Sequence, residues 1–388
     1  MAQELPIKVK ESIQKIIQRE NFVSHDVETK KIYPDGSGFM GDLYVVDVRG
    51  TTKDGRKEMS LFVKQIIHNA ERISIYSVED IFAREALAYR ELCPVFEDLQ
   101  IEAGIPENER FKMVKKQECT KDVIILKNVC KKGYKTYYRM DVVSPKFAEL
   151  AIKELARFHG LSLVLEKQRP KYFDEVFKCL KQPFIFGEAW NDFVGNVSKS
   201  SIKLLDDDKR EKYGDKIMNI VHKYEDYISD TKHFSTLCHG DYKNCNIMVK
   251  EKNGACFEVL PIDFQILHYG CPINDLIYFI FTGTDQAFRK EHMENLKDLY
   301  YETLKNFVSN FGVRLTEVIS KGEFDELFKS KLDFGLMINC FYVPFMFSAE
   351  NDVPDVTEPL GDISFKTDER FGIRFREVVD DFIEWGYL

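Results

Sequence analysis

The sequence predicts an α+β chain in two lobes, an N-terminal lobe of antiparallel strands with one packed helix and a larger, mostly helical C-terminal lobe. Three observations carry this. A chain of 388 residues is long for one small core. Up to about residue 129, short apolar runs are broken by Gly-, Asn- and Asp-containing turns. From Ser144-Pro145 onward the apolar spacing becomes helical. The expected division is residues 1–129 and 130–388.

Taken in order, residues 7–20 place Ile13, Ile16 and Ile17 at helical spacing among charges, an amphipathic helix capping the first lobe. Residues 43–49 and 58–67 read as two antiparallel strands around the turn Lys53-Asp54-Gly55. Ser77 suits an N-cap, with Asp80 in the first turn, and Pro94 is expected to stop that helix near Leu92. Residues 111–118 and 122–129 read as two further strands. Ser144 and Pro145 are a helix start signal, and the helix they open is expected to end near Gly160. Residues 170–230 and 285–385 read mostly as helices, interrupted by strands before Lys250 and over residues 256–263.

Composition narrows the function. Lys and Arg number 55 against 64 Asp and Glu, a net charge of −9, which argues against nucleic acid as a partner. The nine cysteines are scattered with no C-x-x-C pair, so neither a zinc ribbon nor a redox motif is indicated. Free thiols and the lack of an apolar leader lead us to expect a cytoplasmic protein, with no membrane span and no obligate protein partner. Asn196-Val197-Ser198 matches a glycosylation sequon and reads as chance.

The chemistry concentrates in His239-Gly240-Asp241-Tyr242-Lys243-Asn244-Cys245-Asn246 and in Ile262-Asp263-Phe264. Asp241, Asn246 five residues on and Asp263 seventeen after that are acceptor side chains at kinase catalytic spacing. In that chemistry one Asp takes the proton of an attacking hydroxyl, while the Asn and second Asp hold Mg²⁺ on a triphosphate. Asp241 is the expected base, Asn246 and Asp263 the expected metal ligands, and His239 a support of the loop. The bland reading is a pair of turn acids, and the joint spacing outweighs it. The chain is therefore read as an ATP-dependent phosphotransferase.

Lys64 shares a strand face with Phe62 and Ile66, and Glu85 shares a helical stripe with Phe82, Tyr89 and Leu92. A carboxylate on an apolar stripe needs a cation, and Lys64 is the candidate. Such a pair presents its lysine to phosphates; the alternative is an incidental charge on each element. Gly36, Gly38 and Gly41 form a glycine-rich turn before a strand, which suits a phosphate-covering flap over a plain hairpin. Lys243 stands where an ammonium reaches a γ-phosphate, or is a solvated loop lysine. Asp275 reads first as a helix cap and second as a support of the catalytic loop. Phe184, Phe186, Trp190, Phe193, Phe334, Phe341, Tyr342, Phe345 and Phe347 read mostly as core, a few of them as walls of an apolar acceptor pocket.

With these residues assembled, the chain resembles the ecdysteroid kinase-like family, related to choline kinase and aminoglycoside phosphotransferases. The matching elements are the Gly36–Gly41 turn, Phe62-Val63-Lys64, Phe82-Ala83-Arg84-Glu85, Leu155-Ala156-Arg157-Phe158-His159, the His239 to Asn246 run and Ile262-Asp263-Phe264-Gln265. The resemblance implies a two-lobed protein-kinase-like fold, Mg-ATP as donor and a small-molecule hydroxyl as acceptor, an ecdysteroid alcohol being the precedent. It also implies that backbone groups around Leu126 and Asn128 form the hinge holding adenine. Gln265 stands where protein kinases carry Gly, which argues against a protein substrate. A choline- or aminoglycoside-type kinase and a non-catalytic nucleotide-binding pseudokinase remain the alternatives.

Overall fold

The computed structural model describes residues 5–32, 41–67, 75–348 and 366–388. The N-terminal part runs α1 (Ile7–Arg19), β1 (Ser24–Ile32), β2 (Asp42–Thr52), β3 (Gly55–Gln65), α2 (Val78–Leu87), α3 (Cys93–Glu102), β4 (Lys116–Cys119) and β5 (Val123–Lys127). Its strands form one antiparallel sheet in the order β1-β2-β3-β5-β4. Alternation along β3 divides the sheet's two faces. Leu61 and Val63 pack with Val9, Ile13, Ile16 and Ile17 of α1. Phe62 and Ile66 turn the other way, into the main core with Phe82 and Tyr89. Lys64 lies on that second face, and only 4 % of it is exposed.

Three expectations here need correction. β1 was not foreseen: six of its nine residues are exposed and four carry charge, so the apolar alternation that marks a strand is missing. It is held by backbone pairing along β2, from Ser24 opposite Thr51 to Ile32 opposite Leu43. Ser77 does cap α2, its Oγ accepting from the Asp80 N–H at 3.2 Å, but Pro94 does not end the helical path. A π turn over Ala88–Leu92 carries the chain directly into α3. Proline leaves the carbonyl four residues back without its N–H, and Lys116 Nζ takes that carbonyl, of Arg90, at 3.0 Å. The strand read at 111–118 shrinks to β4. The Gln100 side chain instead accepts from the Phe111 N–H at 2.7 Å and donates to its carbonyl at 3.1 Å, standing in for a neighbouring strand.

The C-terminal part contains α4 (Pro145–Gln168), α5 (Pro170–Val176), α6 (Glu188–Ile202), α7 (Asp207–Val221), α8 (Tyr224–Ile228), β6 (Thr236–Cys238), β7 (Ile247–Lys252), β8 (Ala255–Pro261) and β9 (His268–Gly270). It continues with α9 (Pro272–Gly283), α10 (Gln286–Ser309), α11 (Lys321–Lys331), α12 (Phe334–Phe341), α13 (Val343–Met346) and α14 (Glu369–Glu384). Ser144 caps α4 through a 3.2 Å bond from the Phe147 N–H. The helix does not end at Gly160. A β-carbon there would meet Phe307 at 3.0 Å and Val308 at 3.1 Å, so the glycine serves close packing against α10 within an unbroken helix.

β6 pairs with β9 and β7 with β8, each antiparallel. The 239–246 segment runs from β6 to β7, and the 262–267 segment from β8 to β9. Two small ribbons thus fix two irregular loops side by side. Among the described residues, no helix is long and apolar enough to cross a membrane.

Candidate active site

The 239–246 loop is held by its backbone. Gly240 has φ +80°, and a β-carbon would come within 2.5 Å of the Ile266 carbonyl, so a side chain is excluded on both counts. Asp275, in the first turn of α9, accepts the N–H groups of His239 at 2.6 Å and Gly240 at 2.9 Å. His159 Nε2 lies 3.1 Å from the same carboxylate. This corrects the reading of Asp275 as a helix cap: the N-cap of α9 is Cys271, with no side-chain cap bond. Alternate loop residues turn inward, Tyr242 donating to the Ala151 carbonyl at 2.7 Å and the Asn244 amide to the Tyr138 carbonyl at 3.1 Å.

The loops are also tied to each other. His239 Nε2 lies 3.0 Å from the Ile262 carbonyl, and the Ile262 N–H reaches the Asn246 carbonyl at 2.9 Å. His239 therefore supports the loop. Burial drives its ring, and that of His268, below the ordinary histidine value of 6.5. Both are neutral in the folded chain, while an unfolded chain protonates them near pH 6.5. Stability is then complete above that pH and falls as pH drops toward the folded values, by about 1.4 kcal/mol per pH unit for each ring. Burial works to raise Asp275, but its hydrogen bond with His159 outweighs that and holds it below 3.8, so it adds its loss only at lower pH. Denaturant midpoints should therefore fall between pH 7.5 and 5.5; a flat profile would contradict neutral buried rings.

Asp241 is 2 % exposed and both of its oxygens are engaged. Oδ1 accepts the hydroxyls of Tyr278 at 2.7 Å and Tyr342 at 2.8 Å. Oδ2 accepts Lys243 Nζ at 2.9 Å and Asn246 Nδ2 at 2.8 Å. Lys243 is thus a partly buried partner of Asp241, against the reading as a solvated lysine. Asp263 sits just beyond β8 with φ +68°, a left-handed conformation that Asp tolerates better than most residues. Its Oδ1 lies 3.4 Å from Lys64 Nζ, which also bonds Glu85 Oε2 at 2.6 Å. Burial disfavours the Lys64 ammonium, but Asp263 and Glu85 outweigh it and hold Lys64 above its ordinary value.

Arg84 explains why Glu85 stays in place. Its guanidinium bonds the Lys181 carbonyl and, at 3.0 Å, the Leu267 carbonyl, clamping α2 to the loop that carries Asp263. Of the glycine turn, Gly36 and Gly38 lie outside the described residues; Gly41 directly precedes β2. Leu126 is buried in β5 opposite Phe62. Asn128 spends its backbone N–H on the Ser60 carbonyl at 3.0 Å, and its Oδ1 accepts the Cys130 N–H at 3.1 Å.

The family's sequence profile matches residues 35–313, well over half of the chain. The chain belongs to the ecdysteroid kinase-like family. Family membership makes it a phosphotransferase of the small-molecule kinase type. The chain is also similar, at 12 % identity and a TM-score of 0.45, to a microcompartment-associated aminopropanol kinase, covering 97 % of this chain and 99 % of that one. A choline kinase from Streptococcus pneumoniae is similar at 13 % identity, TM-score 0.37, with 85 % and 99 % covered. An ethanolamine kinase of Plasmodium vivax has 13 % identity, TM-score 0.37, with 93 % and 84 % covered. No curated protein matches the sequence.

The oxygens suit the magnesium ion such chemistry uses. Asn246 points its amide nitrogen at Asp241, so its Oδ1 remains an acceptor, and Asp263, next to the Ile262 whose N–H reaches the Asn246 carbonyl, keeps Oδ2 without a donor among the described residues. Oxygen donors are what Mg²⁺ prefers. Lys64 and Lys243 face three carboxylates, Glu85, Asp241 and Asp263, which leaves a negative excess for a cation.

The site contains residues that sequence reasoning missed. Tyr278 lies in an apolar helix, and Tyr342 belongs to an aromatic set that reads mostly as core with a few pocket walls, none of them a partner of Asp241. No local signal marks either as a partner of Asp241, because the contacts span 37 and 101 residues. Glu85→Ala should lower kcat/KM about 100-fold, because Lys64 then loses its shortest contact and keeps only the longer ones to Asp263 and Gln265, both at 3.4 Å. Asp42, paired with Lys31 at 2.6 Å and sharing no ion pair with Lys64 or Glu85 among the described residues, should tolerate Ala without comparable loss. Steady-state rates of both variants, with thermal unfolding as a fold control, check this; equal effects would remove the Lys64–Glu85 pair from the mechanism.

Proposed function

We propose that this protein transfers the γ-phosphoryl group of ATP to the hydroxyl of a small, largely apolar alcohol, an ecdysteroid hydroxyl being the first candidate. The observation that carries the reading is Asp241. Its Oδ1 already accepts two hydroxyl groups, and its loop is tied through Ile262 to the Lys64–Glu85–Asp263 cluster. A carboxylate in that setting is fitted to accept the hydrogen of an alcohol.

In the proposed reaction the acceptor O–H points at Asp241 Oδ1. The acceptor oxygen bonds to the γ-phosphorus, the bond from that phosphorus to the β,γ-bridging oxygen breaks, and ADP leaves. The hydroxyl proton passes to Asp241. Lys64 is positioned by Glu85 to neutralise phosphate charge. Asn246 and Asp263 would hold Mg²⁺, which supplies charge neutralisation on the triphosphate when bound. Gly36, Gly38 and Gly41 would cover the phosphates, and the segment with Leu126 and Asn128 would meet adenine. The lobe boundary then falls at residues 129–130, beside the turn Val129–Lys132 and Gly133.

Two features favour an apolar acceptor over choline or an aminoglycoside. Lys243 pairs with Asp241 at 2.9 Å and offsets its charge, so the carboxylate at the point of attack is already matched and offers no unpaired anion to a cationic acceptor. Tyr342 also adjoins an aromatic cluster: its carbonyl accepts the Phe345 N–H at 3.1 Å, and the partly exposed Phe345 ring packs on buried Phe193 at 5.9 Å, as Phe193 does on Trp190 at 6.1 Å. Transfer of labelled γ-phosphate from Mg-ATP to a panel of 20-hydroxyecdysone, ecdysone, choline and kanamycin tests this. A labelled ecdysteroid supports the reading. Label on choline or kanamycin alone would overturn the acceptor class and leave the chemistry standing.

A further inference from the structure

Asp241 has no free oxygen to offer. Four donors saturate its carboxylate, so an acceptor hydroxyl can reach Oδ1 only by displacing one of them. Asn246 and Lys243 bond Oδ2 and belong to the same loop, so neither blocks Oδ1. Tyr278 bonds Oδ1 from α9, a helix whose every residue is buried, and is itself 4 % exposed. Tyr342 differs. It is partly exposed and stands at the break between α12 and α13, two residues before Pro344. Its ring packs edge-on to Tyr278 at 5.4 Å, and its hydroxyl, besides donating to Asp241, accepts Lys243 Nζ at 3.2 Å.

Resting on the kinase reading above, we infer that the Tyr342 hydroxyl keeps the acceptor's place on Asp241, and that the alcohol binds by displacing it. Chemically the fit is direct: Tyr342 presents an O–H to the oxygen that an acceptor must use, at the 2.8 Å separation an acceptor would adopt. The exchange replaces one hydroxyl by another, so the Asp241 carboxylate is not left bare at any stage. Tyr342 thereby acts as a specificity-determining residue in two ways. Every acceptor must compete with it, which raises KM. Water, which brings no apolar body to hold the displaced ring aside, competes poorly, and ATP is protected from hydrolysis when no alcohol is present.

Tyr342→Phe keeps the ring and removes the competitor. The probes are water, followed as ADP release from Mg-ATP alone, and 20-hydroxyecdysone as alcohol. We expect hydrolysis to rise at least about fivefold with KM for Mg-ATP unchanged. Where the steroid is phosphorylated, its KM should fall about tenfold with kcat within about threefold. Asp241→Asn added to Tyr342→Phe should abolish the gained hydrolysis. Tyr278→Phe, which removes a buried positioning hydroxyl, should lower rates and not raise hydrolysis. Unchanged or slower hydrolysis in Tyr342→Phe, in a protein that binds Mg-ATP, overturns the inference and leaves the kinase reading intact. An equal rise in Tyr278→Phe also overturns it, because the effect would not be particular to the exposed tyrosine. If wild type and variants neither bind nor turn over Mg-ATP, the kinase reading fails first and takes the inference with it.

Discussion

Asp263→Asn should reduce Mg-ATP-dependent turnover by about 10³-fold or more while the protein still unfolds cooperatively near the wild-type temperature. Asparagine is the informative replacement. Residue 263 has φ +68°, a conformation Asn tolerates and Ala does not, so the substitution removes charge without straining the loop. Lys64 retains Glu85 at 2.6 Å, so the buried ammonium is not left alone. What disappears is the negative charge of the Asp263 carboxylate. Electrostatic positioning is most of what a protein contributes to phosphoryl transfer, hence the size of the expected loss. Rates across a Mg²⁺ titration, with calorimetric unfolding, check it. A folded variant with near-normal rates would remove Asp263 from the metal-holding role.

Asp241→Asn should lower kcat by about 10²- to 10⁴-fold with little change in KM for ATP. The amide keeps the shape and one acceptor oxygen, so Tyr278 and Tyr342 retain a partner. It cannot take a proton, and it no longer attracts Lys243, which lies 2.9 Å from Oδ2. A loss expressed in kcat, with ATP affinity preserved, distinguishes a base from a residue that merely binds nucleotide. An equal fall in ATP affinity would point instead to a binding role.

Much of the fold was legible because its signals are local. The Ser77 and Ser144 caps, the α1 stripe and the β2–β3 hairpin each follow from neighbouring residues. The contact of Lys64 with Glu85 was legible for a different reason: each charge sat alone on an apolar face, and burial required a partner. Long-range contacts defeated the reading elsewhere. Pro94 reads as a stop until Lys116, from β4, takes the carbonyl it strands. Asp275 reads as a cap until the His239 and Gly240 amides, far back in sequence, arrive at its carboxylate. Gly160 reads as a helix end until α10 packs onto it. Tyr278 and Tyr342 look like two more core aromatics until their hydroxyls meet on one oxygen. In each case the residue type permits two roles, and the partner that decides lies many residues away.

The most direct test of phosphoryl transfer to an alcohol through Asp241 needs no prior choice of acceptor. Wild-type protein and Asp241→Asn are each incubated with γ-labelled Mg-ATP and a small-molecule extract of the source cells, and labelled products are separated and treated with alkaline phosphatase. The account predicts one or more labelled, phosphatase-sensitive small molecules with wild type and none with Asp241→Asn. Wild type that binds Mg-ATP yet labels no small molecule, or Asp241→Asn that labels the same product at the same rate, would contradict it.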